Sequence, residues 1–230
     1  MADSPLVRLF QDPSRFDPSR DGQIPWRRDP LTIGARALYM TARMTFSRHP
    51  TDVVVWLRSM IQRRTPLAMA LPWLTFDAIR AVEQYLRPGS RVFEYGSGHS
   101  TLYWAQRGAQ VYSVEGDSGW FELALERLAG FDQVAVRFER EQQGYVHCID
   151  EVPEDFDLVL IDGNYRLACI EAAVPRILPG GLLVVDNTDW HWFNDVDRLI
   201  PAGWNKQVFG GCAPFIGYPS QTTIWVKPAA

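Results

Sequence analysis

From residue 75 to residue 199 the chain alternates short apolar runs with helical stretches, and this rhythm leaves few folds open. Strands are predicted at 91–95, 110–114, 134–138, 156–161 and 181–185, and helices at 75–86, 100–107, 118–129, 166–177 and roughly 192–199. Parallel strands need a crossover of a dozen or more residues, which a helix supplies. Strand, helix, strand repeated this often therefore means a parallel sheet with helices on both faces. The tail departs from that rhythm: 207–209 and 222–227 read as strands joined only by the loop GGCAPFIGYPSQ. Without room for a crossover helix, that pair is expected to be antiparallel.

The first 70 residues are of another kind. Residues 1–30 scatter five prolines among Asp, Ser and Arg, which predicts an irregular arm with Trp26 as its anchor. Two helices follow. Ile33, Ala37, Met40 and Met44 recur at helical spacing before Pro50, and Val53, Trp56, Leu57, Met60 and Ile61 form a second stripe. Arg36, Arg43, Arg58, Arg63 and Arg64 lie on their other faces, so the pair is basic and amphipathic. Packing against a domain is the usual fate of such helices; weak contact with an anionic membrane surface and a homodimer interface are the other uses. The division expected is thus residues 1–70 as arm and helices, and 71–230 as the α/β domain.

The formal net charge is −4, which supplies no global basic field and predicts no nucleic-acid partner. The charge is uneven: residues 1–65 hold 11 Arg and 6 Asp and no other charged residue apart from the histidine. Cys148, Cys169 and Cys212 have no CxxC spacing, and the N-terminal residues lack an uninterrupted apolar core. These features predict a reducing, cytoplasmic setting. No run of about 18 apolar residues occurs, so no transmembrane segment is expected.

The chemistry concentrates where strands end. RVFEYGSGHST (91–101) is an apolar strand closing on Glu94, a turn through Gly96, Ser97 and Gly98, and a helix N-terminus near Ser100. Glycines permit positive φ and close approach of a ligand, and helix N-termini suit an anion. Glu94, Glu115 and Asp162 all fall at the carboxyl ends of strands, where open parallel sheets bind ligands. Glu115 lies 21 residues beyond Glu94, the spacing at which an acid on the second strand takes ribose hydroxyls. Gly96-x-Gly98-x-x-Thr101 is only a partial dinucleotide fingerprint, and a carboxylate beneath a pyrophosphate would repel it. Glu94 suits an amino or sulfonium group instead.

FEYGSGHST, VYSVEGD (111–117), DLVLIDG (157–163) and LPGGLLVVDN (178–187) together resemble the class I S-adenosylmethionine-dependent methyltransferases over residues 75–227. The resemblance implies a doubly wound, mostly parallel seven-stranded sheet with an antiparallel last strand pair, here carrying an N-terminal helical extension. It implies S-adenosylmethionine as cofactor, with Glu94, Gly96, Ser97 and Gly98 holding its methionine part and Ser100 and Thr101 near its carboxylate. Glu115 would take the ribose hydroxyls, with Gly116 and Asp117 beside the adenosine. Glu139, Arg140, Glu141 and Tyr145 remain open as adenine contacts. Asp162, beside the methyl position, is the candidate catalytic base for a small-molecule oxygen or nitrogen acceptor.

Asp186-Asn187-Thr188-Asp189-Trp190 is similar to the DN-T-W segment of the metal-dependent catechol and caffeoyl-CoA O-methyltransferases. That likeness implies Mg²⁺ held by Asp162, Asp186 and Asn187. The chain departs from the family's lysine after the fourth-strand aspartate, having Asn164, Tyr165 and Arg166. Two other functions share the architecture, a non-catalytic binding module and an aminopropyl transferase with an acid-lined amine channel. Trp190, Trp192, Phe193, Trp204, Phe209, Phe215 and Tyr218 crowd the acceptor side, most of them expected in the core and two or three lining a pocket.

Overall fold

A computed structural model of the protein describes residues 5–16, 24–62, 69–190, 193 and 195–229. Its centre is one sheet of seven strands, β1 (Arg91–Tyr95), β2 (Gln110–Glu115), β3 (Val134–Phe138), β4 (Phe156–Ile161), β5 (Ile177–Asp186), β6 (Asn205–Gly211) and β7 (Ser220–Val226), in the order β3-β2-β1-β4-β5-β7-β6. The first five are parallel, and β7 runs antiparallel to both β5 and β6. The chain therefore winds outward from β1 in one direction and from β4 in the other. The switch point between β1 and β4 is where such a sheet binds its ligand.

Burial on both faces explains the near-continuous apolar strands. Alternate residues of β1, β4 and β5 take opposite sides. Phe93, Tyr95, Val159, Ile161, Leu183 and Val185 join a core that includes Tyr145, Cys169 and Ile170. Val92, Leu158, Leu160, Leu182 and Val184 pack with Ile79, Val82 and Trp104. These partners sit on α4 (Phe76–Tyr85), α5 (His99–Gln106), α7 (Gln142–His147) and α8 (Arg166–Ala173), while α6 (Ser118–Leu128) flanks β3.

Helix α7 was not expected; its six residues are too few to display a period. The helix expected at 192–199 is instead a 3₁₀ turn over Val196–Leu199, and His191 and Trp192 lie outside the described residues. The helix expected at 166–177 gives way to a 3₁₀ turn at Val174–Arg176, around Pro175.

Residues before 70 contain α1 (Pro5–Arg8), α2 (Pro30–Thr45) and α3 (Asp52–Gln62). Asp29 caps α2 by accepting from the Thr32 N–H at 2.8 Å, and Pro30 opens its first turn. The expected irregular arm holds α1, a 3₁₀ turn at Pro13–Arg15 and a bridge between Gln11 and Trp26. Met40, Met44 and Trp56 bury with Phe76 and Cys212, so both helices pack on the sheet domain through their apolar stripes. No described helix is long and apolar enough to cross a membrane.

Two of the arginines expected to be solvated reach inward. Arg43 donates to the Gly210 carbonyl at 3.0 Å and Arg36 to that of Gly217 at 2.8 Å. Trp56 Nε1 donates to the Ile216 carbonyl at 2.8 Å, and Ser59 Oγ accepts from the Phe215 N–H at 2.9 Å. The loop between β6 and β7 is thus held at three carbonyls or amides by α2 and α3, and the end of β6 at a fourth. Trp56→Phe keeps the packing and leaves the Ile216 carbonyl without its donor, so we expect a loss of about 0.5–1.5 kcal/mol in denaturant unfolding with an unchanged slope.

Candidate functional site

Beyond the carboxyl ends of β1, β2, β4 and β5 opens a cavity of about 470 Å³. Of the residues expected to hold a cofactor, Gly96, Ser97, Gly98, Ser100, Glu115, Asp117 and Asp162 line it. Glu94, Thr101 and Gly116 do not, but Glu94 is tied through Thr101 to the glycine turn that does. Glu94 is fully buried, and its Oε2 accepts a 2.5 Å hydrogen bond from Thr101 Oγ1, which itself accepts from the Gly98 N–H at 2.9 Å. Thr101 thus fastens the glycine turn to the strand end. Glu94 Oε1 has no hydrogen-bond partner. Burial pushes the Glu94 carboxyl up to about 8, the Ser100 and Thr101 hydroxyls oppose the rise, and the charges of Asp162 and Glu115 add to it.

Gly96 has φ of 100°, and a Cβ there would stand 2.9 Å from the Gly163 Cα. A Cβ at Gly163 would in turn lie 2.0 Å from Tyr145 Oη. The turns after β1 and β4 therefore touch through bare backbone, which only glycine allows. Gly98 is extended and needs no glycine for its own conformation. Tyr145, one of the four open adenine contacts, is buried beneath this junction and accepts from the Asn164 N–H at 3.3 Å. None of Glu139, Arg140, Glu141 and Tyr145 lines the cavity, whereas Trp120 does, beside Asp117.

Glu115 accepts from three backbone amides, Ser97 at 3.0 Å and Gly116 and Asp117 at 2.8 Å each. It is 8% exposed, and burial raises its pKa against the pull of those amides. Asp117 caps α6 by accepting from the Trp120 N–H at 2.9 Å.

The other wall is organised by Arg166, which sequence inspection registers only as a departure from a lysine. Its guanidinium is nearly buried and donates to the Gly163 carbonyl (2.9 Å), the Asp162 carbonyl (3.0 Å) and Oδ1 (3.1 Å), the Asp186 carbonyl (2.8 Å) and Asn187 Oδ1 (3.1 Å). Asp186 Oδ1 accepts from Thr222 Oγ1 at 2.6 Å, and Asn187 Nδ2 donates to Ser220 Oγ at 3.0 Å. Burial raises the pKa of both Asp162 and Asp186, Arg166 opposes the rise in each, and the charges of Asp162 and Asp189 add to it at Asp186. Arg166 binds the Asp162 carboxylate directly and so favours its charged form, leaving Asp186 as the partner that carries a proton.

The arrangement gives no support to Mg²⁺ on Asp162, Asp186 and Asn187. Arg166 already donates to Oδ1 of Asp162 and of Asn187, and the hydroxyl of Thr222 engages Oδ1 of Asp186. A dication there would meet the charge of Arg166. Among the described residues no group of three His, Cys, Asp or Glu side chains could hold a metal ion.

Aromatic side chains complete the cavity. Trp73, His99, Trp120, Trp190 and Tyr218 line it with Ile216. His99 packs against Phe215 (ring centroids 4.6 Å apart) and Trp73 (5.6 Å), and burial lowers its pKa to about 4, which keeps the ring neutral. Of the aromatic residues expected on the acceptor side, Trp190 and Tyr218 line the cavity, Trp204 packs against the core, and Phe193 and Phe215 are buried. Trp73 had no distinguishing signal, whereas Trp120 stands three residues beyond Asp117 at the end of VYSVEGD, a proximity that could have marked it. Tyr165, Asn187 and Phe215 all have positive φ (51°, 57° and 62°), placing backbone strain around the same site.

No protein-family model matches the chain, and no curated protein matches its sequence. Solved structures do resemble it. A Klebsiella pneumoniae protein assigned by name to the O-methyltransferases aligns with a TM-score of 0.54 and 19% identity, over 84% of this chain and 96% of the other. An rRNA methylase from Streptococcus thermophilus aligns with 0.51 and 17%, over 63% and 90%. TrmN from Thermus thermophilus aligns with 0.50 and 18% over 65% of this chain, which spans only 48% of TrmN. With the strand order and the reversed last pair, these likenesses define the class I methyltransferase fold. They also correct one expectation. Net charge was taken to exclude a nucleic-acid partner, yet an rRNA methylase has this fold, and the formal charge of −4 averages over a chain whose arginines cluster in its first 65 residues.

Replacing Arg166 by Met would leave the half-buried Asp162 beside Asp186 without a cation, so we expect a loss of about 3–5 kcal/mol in unfolding free energy at pH 7, smaller as the pH is lowered and the acids, whose pKa values are raised, take up protons. For Glu94 the sign is set by a folded pKa above its unfolded value. The folded state retains a proton that the unfolded state releases, so stability falls as pH rises from about 4.5 to about 8. Glu94→Gln should flatten that slope in pH-dependent denaturant melts.

Proposed function

We propose that the protein is a methyltransferase that uses S-adenosylmethionine to methylate an oxygen or nitrogen of a small acceptor. The observation that carries this reading is Glu94, a fully buried carboxyl at the end of β1 with one oxygen lacking a partner, set beneath a glycine turn. A buried carboxylate is stable only with a cation or a proton, and a ligand that is cationic at this end meets that need. Glu94 would hold the ammonium group of the cofactor, the turn Gly96 to Gly98 with Ser100 its carboxylate, and Glu115 the ribose hydroxyls, with Asp117 and Trp120 toward the base. When bound, the cofactor supplies an activated methyl group with its own leaving group.

The remaining work is positioning and the handling of a proton. Asp162, anchored by Arg166 and 23% exposed toward the cavity, is the group we assign to take the acceptor's proton. Arg166 keeps that carboxylate ionised and fixes its direction. His99 and Trp73 exclude water from the same space. A cavity of about 470 Å³ bordered by aromatic rings rather than filled by them supports catalysis over a purely structural role. We assign residues 71–230 to the catalytic domain and residues 1–70 to a layer that holds the loop between β6 and β7. Three buried free cysteines support a cytoplasmic, reducing setting for it.

Calorimetric titration with S-adenosylmethionine and S-adenosylhomocysteine tests the reading. Binding of either by the wild type, weakened about tenfold or more by Glu115→Ala, is expected; a chain that binds neither refutes it. Below about pH 8 the free protein carries a proton on Glu94, and a cationic ligand displaces it. Affinity should therefore rise with pH toward 8 and level off beyond, with proton release visible as a heat that depends on the buffer. Glu94→Gln should abolish that release.

A further inference from the structure

A second cavity, of about 530 Å³, adjoins the first and shares Trp190 and Tyr218 with it. Among the described residues its lining includes Arg15, Arg28 and Arg36 and no carboxylate. These arginines come from the N-terminal arm and α2, outside the sheet domain. Tyr218 stacks on Trp26 with ring centroids 5.0 Å apart and an interplanar angle of 17°, and the Arg36 guanidinium lies 5.5 Å from the Trp26 ring. Arg36 donates to the carbonyls of Gly217 (2.8 Å) and Arg27 (3.3 Å). Carbonyl partners orient a guanidinium without cancelling its charge. Asp29, whose charge reaches Arg36, is engaged in capping α2. Three positive charges around an aromatic wall, with no acid among the described lining residues, suit an oxyanion attached to an apolar or aromatic body.

We infer that this arginine-lined cavity is the acceptor's anion subsite: it takes a phosphate or carboxylate, and the body of the acceptor passes Trp190 and Tyr218 to present its nucleophile in the first cavity. The assignment rests on the methyltransferase reading for what happens in the first cavity, but the anion site itself stands on the second. It also weighs against an aminopropyl transferase, whose amine substrate would be repelled here. A cavity of this size, bordered by Pro25 and Trp26 of the arm, fits a small molecule.

The test uses the full chain saturated with S-adenosylhomocysteine and the probes phenyl phosphate, benzoate and phenol, followed by tryptophan fluorescence and calorimetry. One of the two anions should bind at least about tenfold more tightly than phenol, and which one does separates phosphate from carboxylate. Arg15→Gln combined with Arg28→Gln should weaken that anion about tenfold while leaving phenol and S-adenosylhomocysteine affinities unchanged. Both arginines are exposed, and the retained nucleotide affinity reports that the variant is folded. Anions that bind no better than phenol, or equally well to the double variant, would overturn the subsite. A single-stranded RNA oligonucleotide that binds tenfold more tightly than either anion, and loses that affinity in the same variant, would overturn the small acceptor. If the wild type binds no S-adenosylhomocysteine, the methyltransferase reading fails, and the same titrations without it still decide the anion site.

Discussion

The buried guanidinium of Arg166 is the interaction on which the site depends. It collects the ends of β4 and β5 into one unit, using three main-chain carbonyls and two side-chain oxygens. Two aspartates this close, in a cavity of low dielectric, could not both stay ionised and unpaired. Arg166 settles the conflict by direct contact with Asp162, and Thr222 hydrogen-bonds what remains of Asp186. The helix α8 begins at this residue, so the first turn of the helix and the electrostatics of the site are one feature. Its ring neighbour Trp190, with the guanidinium 5.1 Å from the ring centroid, passes the constraint on to the acceptor wall.

The same logic of fixing a site from behind recurs in the loop between β6 and β7. Residues 215–218 have no sheet partners, yet they provide Ile216 and Tyr218 to the cavity. Helices α2 and α3 supply the missing hydrogen bonds through Trp56, Ser59 and Arg36. A loop held at successive residues by two helices loses the freedom that the connection over residues 212–219 would otherwise have. Phe215 at φ of 62° is tolerated because its amide is bound by Ser59 and its ring packs on His99. The N-terminal layer thus acts on the site through the loop as well as through its arginines.

Most of the sheet was legible because parallel strands buried on both faces leave continuous apolar runs, and because a loop without a crossover helix dictates an antiparallel pair. The acids Glu94, Glu115 and Asp162 were legible for a related reason: a charged residue that closes an apolar strand stands out. What escaped notice had no such contrast. Arg166 opens a helix, where an arginine is ordinary, and only its neighbours across the strand ends give it meaning. Trp73 and Trp120 reach the cavity from segments far apart in sequence, and α7 is too short to show a period. Likewise, spacing picks out the oxygens of Asp162, Asp186 and Asn187 but not the guanidinium bound to two of them.

Charge is sorted across the aromatic wall, and the sorting follows from where each segment can place it. The sheet contributes acids, since strand carboxyl ends converge on the switch point and Glu94, Glu115, Asp162 and Asp186 all close strands there. Arginines of the sheet domain could balance those acids only one at a time, as Arg166 does. The arm has no strand ends to protect, and its arginines stand on the far side of Trp190 and Tyr218. Had they lined the first cavity, they would have offset the acids that close the strands there. Separation by two aromatic rings keeps the two sets of charge from pairing with one another, which is what the proposed cationic cofactor and the proposed anionic acceptor both require.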